Sequence, residues 1–183
     1  KLLETIDDAD TSILSNITTL KLRKSFTPTL NSSTNYTVNF SNALYNPHSG
    51  HNTSAGGILS STGFKVSGDS NVYFFDDDGQ GNVRRYYLVG SVRTYVDNTA
   101  GTITYSSGAV AINALTMASI ENIRGAASTV IELTVTPSSN DIVPVRAQVI
   151  DIDVANSTFT VQADTLVGGS ANAGIGYTTT SSY

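Results

Sequence analysis

The stretch Gly101-Thr-Ile-Thr-Tyr-Ser-Ser-Gly-Ala-Val-Ala-Ile-Asn113 alternates apolar and polar side chains on both sides of a short polar turn. This alternation is typical of strands that bury one face. The turn, Ser106-Ser-Gly108, ends in a glycine, which supplies the positive φ that a tight hairpin needs. Downstream, Val130-Ile-Glu-Leu-Thr-Val-Thr136 alternates in the same way, and Ile142 to Asp153 is a further apolar segment. The region from Gly101 to Asp153 therefore predicts four strands.

The rest of the chain contains more segments with strand alternation. The clearest is a hairpin in which Val72 to Phe75 and Val83 to Val89 flank the acidic, glycine-containing turn Asp76 to Asn82. A turn is also predicted from Asp97 to Gly101. The remaining predicted strands lie around Leu20 and Leu22, Tyr36 to Phe40, Phe64 and Val66, Val92 to Val96, and Phe159 to Ala163.

One helix is predicted near the start, at about residues 6–17. Ile6, Ala9, Ile13 and Ile17 recur at helical spacing, and the acids at positions 7, 8 and 10 suit a helix N-terminus. A second short helix is predicted around residue 118, although Thr116 and Ile120 fit a strand equally well.

The predicted fold is mainly β, with antiparallel sheets and hairpins in a single domain and a short N-terminal α-helix; an α+β fold is the alternative. This domain is predicted to span residues 1–165. Residues 166–183 are rich in Gly, Ser and Thr and are predicted to form a flexible or partner-ordered tail.

Composition excludes several classes of function. The 183 residues carry a net charge of −5, with pI 4.7, which disfavours nucleic acid because phosphate binding needs a clustered basic face. No apolar run approaches the ~18 residues of a membrane span. Because no cysteine is present, there is neither a disulfide framework nor a thiolate metal site. The chain begins with Lys1 rather than Met, so we expect a fragment of a longer protein.

No catalytic constellation stands out, and the sequence predicts a protein that is not an enzyme and needs no cofactor. The run Asp76-Asp-Asp-Gly79 resembles part of a calcium loop, but in EF-hand register Phe74 and Arg85 occupy ligand positions. An irregular calcium site at Asp76 to Asp78 stays open; the preferred interpretation is a turn whose acids face solvent. His48 and His51 lack a third metal ligand in sequence.

Three stretches together resemble the C-terminal part of a baseplate wedge subunit of contractile-tailed bacteriophages, related to baseplate J-like proteins. The first is Ile6 to Ile13 with Asn16 to Lys24, and the second is the hairpin Asp76 to Val83 with Arg85 to Tyr87. The third is Gly101 to Gly108 followed by Thr136 to Arg146 and Gln148 to Asp153. The resemblance covers the chain from about Ile6 to Asp153.

That resemblance implies a structural protein of the virion, in the inner ring of the tail baseplate, assembled in the host bacterial cytoplasm. Its implied partners are copies of itself and other wedge and hub proteins, with no nucleic acid or membrane. From it we expect self-association as a homodimer or ring through an interface of ~1,200–2,000 Å². Strand edges along Gly101 to Asp153 are one expected contact route.

An alternative function is a receptor- or glycan-binding adhesin. The long polar loop from Ser41 to Ser61 carries Tyr45, His48 and His51, which suit a sugar-stacking surface with polar groups around it.

Overall fold

A computed structural model describes residues 2–11, 13, 16–48, 57–139 and 152–161. The chain divides into two compact units, residues 1–148 and 149–183. In the described part of the first unit, helix α1 is followed by nine strands; in the second unit, residues 152–161 contain one short 3₁₀ turn at Val154–Asn156. The elements of the first unit are α1 (Leu2–Asp7), β1 (Leu22–Phe26), β2 (Ser33–Asn39), β3 (Ser60–Ser61), β4 (Phe64–Val66), β5 (Val72–Asp77), β6 (Asn82–Val89), β7 (Val92–Thr104), β8 (Ala109–Ile120) and β9 (Ile131–Val135).

The predicted mainly β fold with one short N-terminal helix is confirmed, and all pairings between these strands are antiparallel. The larger sheet has the order β2-β8-β4-β5-β6-β7, and β7 pairs again with β8. Strands β8, β4, β5, β6 and β7 therefore close on themselves, with β2 on β8 outside this ring. The smaller sheet has the order β1-β9-β3.

The two sheets share one apolar core. From the larger sheet Phe64 and Phe75 stack with ring centroids 4.7 Å apart, and Val110 is fully buried beside them in the same cluster. From the smaller sheet the alternating residues Ile131, Leu133 and Val135 are all fully buried, as their sequence pattern predicts. Burying these side chains is the main stabilising term of the fold, at ~1.5–3 kcal/mol for each large aliphatic or aromatic residue.

The hairpin around Ser106 to Gly108 is also confirmed. Gly108 has φ 73°, and its N–H donates to the carbonyl of Thr104 at 2.8 Å. A Cβ at Gly108 would overlap the carbonyl oxygen of Asn42, so the turn needs glycine both for its φ and for this close approach.

The N-terminal helix exists, but its predicted bounds of 6–17 are wrong. Helix α1 ends at Asp7, and Ile17 is almost fully exposed rather than part of a helical apolar face. The acids at positions 7, 8 and 10 consequently lie at the C-terminal end of the helix and beyond it, where negative charge opposes the helix dipole. The β-branched residues at positions 11, 13 and 17 do not favour continuing it.

The helix predicted around residue 118 is wrong, because β8 continues through it to Ile120. Backbone pairing with β2 and β4 satisfies this segment, and Met117 is fully buried between them. Tertiary pairing thus decides between two local patterns that were equally acceptable.

The turn predicted from Asp97 to Gly101 is a bulge inside one long strand. Arg85 pairs with Asp97 but Val83 pairs with Gly101, so β7 carries extra residues at this point. The Asp97 carboxylate accepts a hydrogen bond from the Thr99 N–H at 2.9 Å, which is local turn chemistry within the strand.

The last two predicted strands have different outcomes. Phe159 and Val161 are exposed and outside any strand, so that prediction is wrong for these two residues. Most of the segment from Ile142 to Asp153, Ala163 and the predicted tail 166–183 lie outside the described residues. None of the helices in the described part of the chain is long and apolar enough to cross a membrane.

Candidate functional site

The acidic hairpin turn is buried, contrary to the expectation that its acids face solvent. Asp76 and Asp77 end strand β5 and are 1% and 0% exposed, and Arg84 on β6 is 7% exposed. The hairpin register places Asp76 directly opposite Arg84. Charged groups are rarely buried to this extent unless they are paired, so this turn is a built ionic site.

The Asp76 carboxylate accepts hydrogen bonds from three side chains on two strands. Arg84 Nε donates to Oδ1 at 2.9 Å, and Arg84 Nη2 lies 3.2 Å from Oδ2. Arg93 Nη1 and the Tyr95 hydroxyl donate to Oδ2 at 2.8 and 2.7 Å. The carboxylate thus ties β5 to both β6 and β7.

Asp77 faces the other way and holds a loop. Its Oδ1 accepts from the Leu59 N–H at 2.8 Å, and its Oδ2 accepts from the Tyr105 hydroxyl at 2.6 Å. A Cβ at Gly57 would overlap this carboxylate. Nearby, Asn46 Nδ2 donates to the Gly79 carbonyl at 3.2 Å, so both described ends of the long loop are attached to this turn. Because the Asp77 carboxylate is buried and both of its oxygens accept hydrogen bonds, Asp77→Asn is expected to lower the stability of the fold.

Asp78 caps the turn itself. Its Oδ1 accepts from the backbone N–H groups of Gln80 and Asn82 at 2.8 and 3.0 Å, and its Oδ2 accepts from Asn82 Nδ2 at 2.7 Å. Partial burial acts to raise the pKa of Asp78, but the hydrogen bonds from Asn82 and Gln80 outweigh it and lower that pKa below its ordinary value.

These contacts argue against the irregular calcium site. The carboxylate oxygens of Asp76, Asp77 and Asp78 already accept hydrogen bonds from protein donors, and two guanidinium groups lie against Asp76. A calcium ion would have to displace these donors beside existing positive charge. Across the described residues, no group of three or more acidic, histidine or cysteine side chains is arranged to hold a metal.

The outward face of β5, β6 and β7 carries a layer of aromatic rings and guanidinium groups. The Tyr86 ring lies 5.7 Å from that of Phe74 and 5.6 Å from that of Tyr95. Arg93 sits over the Tyr86 ring at 4.8 Å, and Arg84 over the Tyr95 ring at 4.3 Å. Arginine over a desolvated aromatic face is attractive, so the ionic and aromatic contacts support each other.

The tyrosines of this region are held in their neutral form. Burial, followed by the hydrogen bond to Asp76, raises the pKa of Tyr95, and burial raises that of Tyr86. Burial and the hydrogen bond to Asp77 strongly raise the pKa of Tyr105. In each case ionisation would place a negative charge in a partly desolvated site near an aspartate.

Beyond this layer, the turn that joins β6 to β7 exposes a group of apolar side chains, which we call the hairpin end: Leu88, Val89 and Val92. Their exposed fractions are 47%, 59% and 67%. Val96, further along β7, is exposed as well. Single exposed apolar residues are ordinary on a protein surface, but clustered ones suggest a contact surface.

The strand edges expected as a contact route are mostly occupied. Strand β9 lies between β1 and β3, and β8 has β2 on one side and β4 and β7 along its length. The expectation is therefore wrong for β8 and β9. Within the described region the open edges are instead those of the outer strands β1, β2 and β3, together with part of β7.

The residues of the adhesin alternative are partly visible. Tyr45 and His48 are exposed, whereas His51 lies outside the described residues. A hollow of about 460 Å³ lies at the start of the same loop. Five of its six lining residues carry an amide or hydroxyl group; the six are Asn39, Ser41, Asn42, Ala43, Ser106 and Ser107.

Comparison of the chain with protein-family models, curated proteins and solved structures found no match. Function is therefore inferred from the chain's own residues and from the resemblance described above.

Proposed function

We propose that this chain is a structural virion protein, a baseplate wedge component that helps form the inner ring of a contractile phage tail through protein–protein contacts. Its partners on this proposal are copies of itself and neighbouring wedge and hub proteins, and it acts without catalysis or a cofactor. The resemblance to a wedge subunit indicates the assembly to which the chain belongs, and the exposed side chains of the chain indicate the surface that makes the contacts.

The observation that carries the proposal is the exposed hairpin end. Leu88, Val89 and Val92 lie at the end of the β6–β7 hairpin, which β5 pairs with as far as Tyr87 and which the Asp76 carboxylate contacts through Arg84 and Arg93. A rigidly mounted apolar group loses little conformational entropy on binding, which favours its use as a contact. The adjacent Tyr and Arg side chains belong to the types enriched in protein interfaces.

Immuno-electron microscopy tests the location. Antibody raised against the purified chain should label contractile-tail particles from the source culture at the baseplate end of the tail. Label on host cell surfaces, or on no particle that contains the protein by mass spectrometry, would contradict the proposal.

A pair of leucine variants tests the surface. Leu88→Asn should weaken binding to tail baseplates in a co-sedimentation assay, because it removes an apolar contact from the hairpin end. Leu30→Asn is the matched control, since Leu30 is 42% exposed in the turn between β1 and β2 and Leu88 is 47% exposed. Equal binding by the two variants would remove the hairpin end from the proposal.

The polar hollow and the exposed Tyr45 keep glycan binding as a second candidate function. The volume of the hollow, about 460 Å³, falls in the ordinary range for small-ligand pockets, and Asn42 and Ser107 in its lining offer hydrogen-bonding groups. A glycan array tests this directly. Reproducible binding that is lost in both Tyr45→Ala and Asn42→Ala would favour the adhesin over the wedge protein.

A further inference from the structure

Among the described residues, no strand pairs with one backbone edge of β7 over its first half. β6 pairs with β7 from Val92 to Thr102, but β8 pairs with its other side only from Gly101 to Thr104. Within the described residues, positions 92–98 therefore have a strand on one side alone.

The hairpin geometry identifies which backbone groups of β7 do not pair with β6. Val89 pairs with Val92 across the two-residue turn, where Gly90 has φ 63°. In such a hairpin the pair next to the turn exchanges both backbone hydrogen bonds, and the pattern alternates along the strand. Val92 and Thr94 thus direct their N–H and C=O groups to β6, whereas Arg93 and Tyr95 direct theirs outward.

From Val92 to Tyr95 this edge lacks the usual protection against pairing. Natural edges are blocked by proline, by a lysine over the edge or by a bulge. The segment Val92-Arg-Thr-Tyr-Val96 contains no proline or lysine, and its arginine is drawn onto Asp76 at 2.8 Å. A first bulge in β7 lies at Val96, because Tyr86 pairs with Tyr95 and the next residue, Arg85, pairs with Asp97. The regular part of the open edge therefore runs from Val92 to Tyr95 and includes the outward groups of Arg93 and Tyr95.

We propose that the partner of this edge is the same edge of a second copy of the chain, paired antiparallel about a two-fold axis at Thr94. This inference rests on the proposed function and names one partner of its contact surface. The register sets Thr94 opposite Thr94 of the other copy and Arg93 opposite Tyr95. Val92 then lies opposite Val96, the bulge residue that ends the regular edge. The outward groups of Arg93 and Tyr95 then bond each other across the axis.

The sequence of the edge is complementary to itself in this register. No like charges oppose each other, although two copies with a net charge of −5 each repel overall. Threonine pairs and pairs of β-branched residues stabilise antiparallel neighbours. Val92 and Val96, both exposed in the single chain, are covered together. The contact is narrow, so the dimer forms in a concentration-dependent manner.

A charge swap tests the register. Val92→Lys with Val96→Lys places lysine opposite lysine twice, and the dimer dissociation constant should rise on the order of tenfold. Val92→Lys with Val96→Glu places lysine opposite glutamate twice, and dimerisation should return. The control, Ile17→Lys with Val154→Lys, adds two charges at exposed positions elsewhere and should leave the dissociation constant unchanged. Sedimentation velocity across a concentration series measures all four proteins, with circular dichroism to verify folding.

A cysteine provides a second readout, because the chain has none of its own. Under mild oxidation Thr94→Cys should yield a disulfide-linked dimer, since directly opposed Cβ atoms at a two-fold axis lie ~4.5–5.5 Å apart. Thr102→Cys, exposed on the fully paired half of β7, should not. A monomeric wild type, a dimer unaffected by the double lysine variant, or failure of the lysine–glutamate pair to restore dimers would each overturn the inference. Baseplate labelling by antibody would stand regardless, so the two proposals fail separately.

Discussion

Asp76→Asn removes a buried negative charge that faces two arginines, Arg84 and Arg93. The variant keeps the size of the side chain, but its amide presents one acceptor and one donor where the carboxylate accepts from Arg84, Arg93 and Tyr95. Breaking a buried ion pair by removing one partner costs ~3–5 kcal/mol, because the other charge remains buried and uncompensated. Arg84 is that charge, since its side chain is only 8% exposed.

Because Asn retains one acceptor oxygen, we expect a loss of about 3 kcal/mol in the free energy of unfolding. For a chain of this size that corresponds to a fall of about 6–12 °C in melting temperature. Urea unfolding should show a lower midpoint at unchanged slope, which separates lost stability from a change in compactness. Asp8→Asn, at an exposed position, is the matched control and should lie within about 0.5 kcal/mol of wild type. A loss below about 1 kcal/mol for Asp76→Asn would refute the view that this carboxylate holds the hairpin.

Two further predictions concern the β7–β8 turn and alkaline pH. Gly108→Ala should lower the free energy of unfolding in urea by more than about 2 kcal/mol, because the new Cβ overlaps the Asn42 carbonyl. Gly68 also has a positive φ but lies in open space, so Gly68→Ala should lower it by about 1 kcal/mol. Similar losses would show that φ alone matters. Folding raises the pKa of Tyr105 above the value of about 10 that it has in the unfolded chain. Tyr105 therefore contributes its full stabilisation below a pH of about 10. Above that pH the stabilisation is lost, at no more than about 1.4 kcal/mol per pH unit. Tyr105→Phe, which also loses the bond to Asp77, should show a shallower decline in stability above pH 10; an equal slope would contradict this.

Local patterns predicted the strands well because alternation and turn chemistry are properties of neighbouring residues. The hairpin at Gly108 and the buried face of Ile131, Leu133 and Val135 follow from such patterns alone. The helix predicted around residue 118 fails because the partners of β8 come from distant parts of the chain. A single sequence does not reveal that those partners will be present.

The buried ionic site was missed for a similar reason. Asp76 and Arg84 are equally distant from the centre of a recognisable hairpin turn, so their pairing was available from the sequence. The contacts of Arg93 and Tyr105 with these aspartates could not be predicted from the sequence. The Arg93 contact depends on the register of β7, and the Tyr105 contact depends on closure of the strand ring. Without these donors, three acids at a turn are reasonably interpreted as solvated.

The ionic site and the open edge of β7 are physically connected, which gives a final prediction. Arg93 pairs with Asp76 and is also a member of the proposed edge, so the carboxylate holds the guanidinium away from the edge. Asp76→Asn should therefore weaken dimerisation as well as folding, whereas Val92→Lys with Val96→Lys should weaken dimerisation alone. Measuring the dissociation constant and the urea midpoint for both variants separates these effects. If Asp76→Asn lowers the midpoint yet dimerises as wild type does at temperatures where it is folded, the edge does not depend on the position of Arg93.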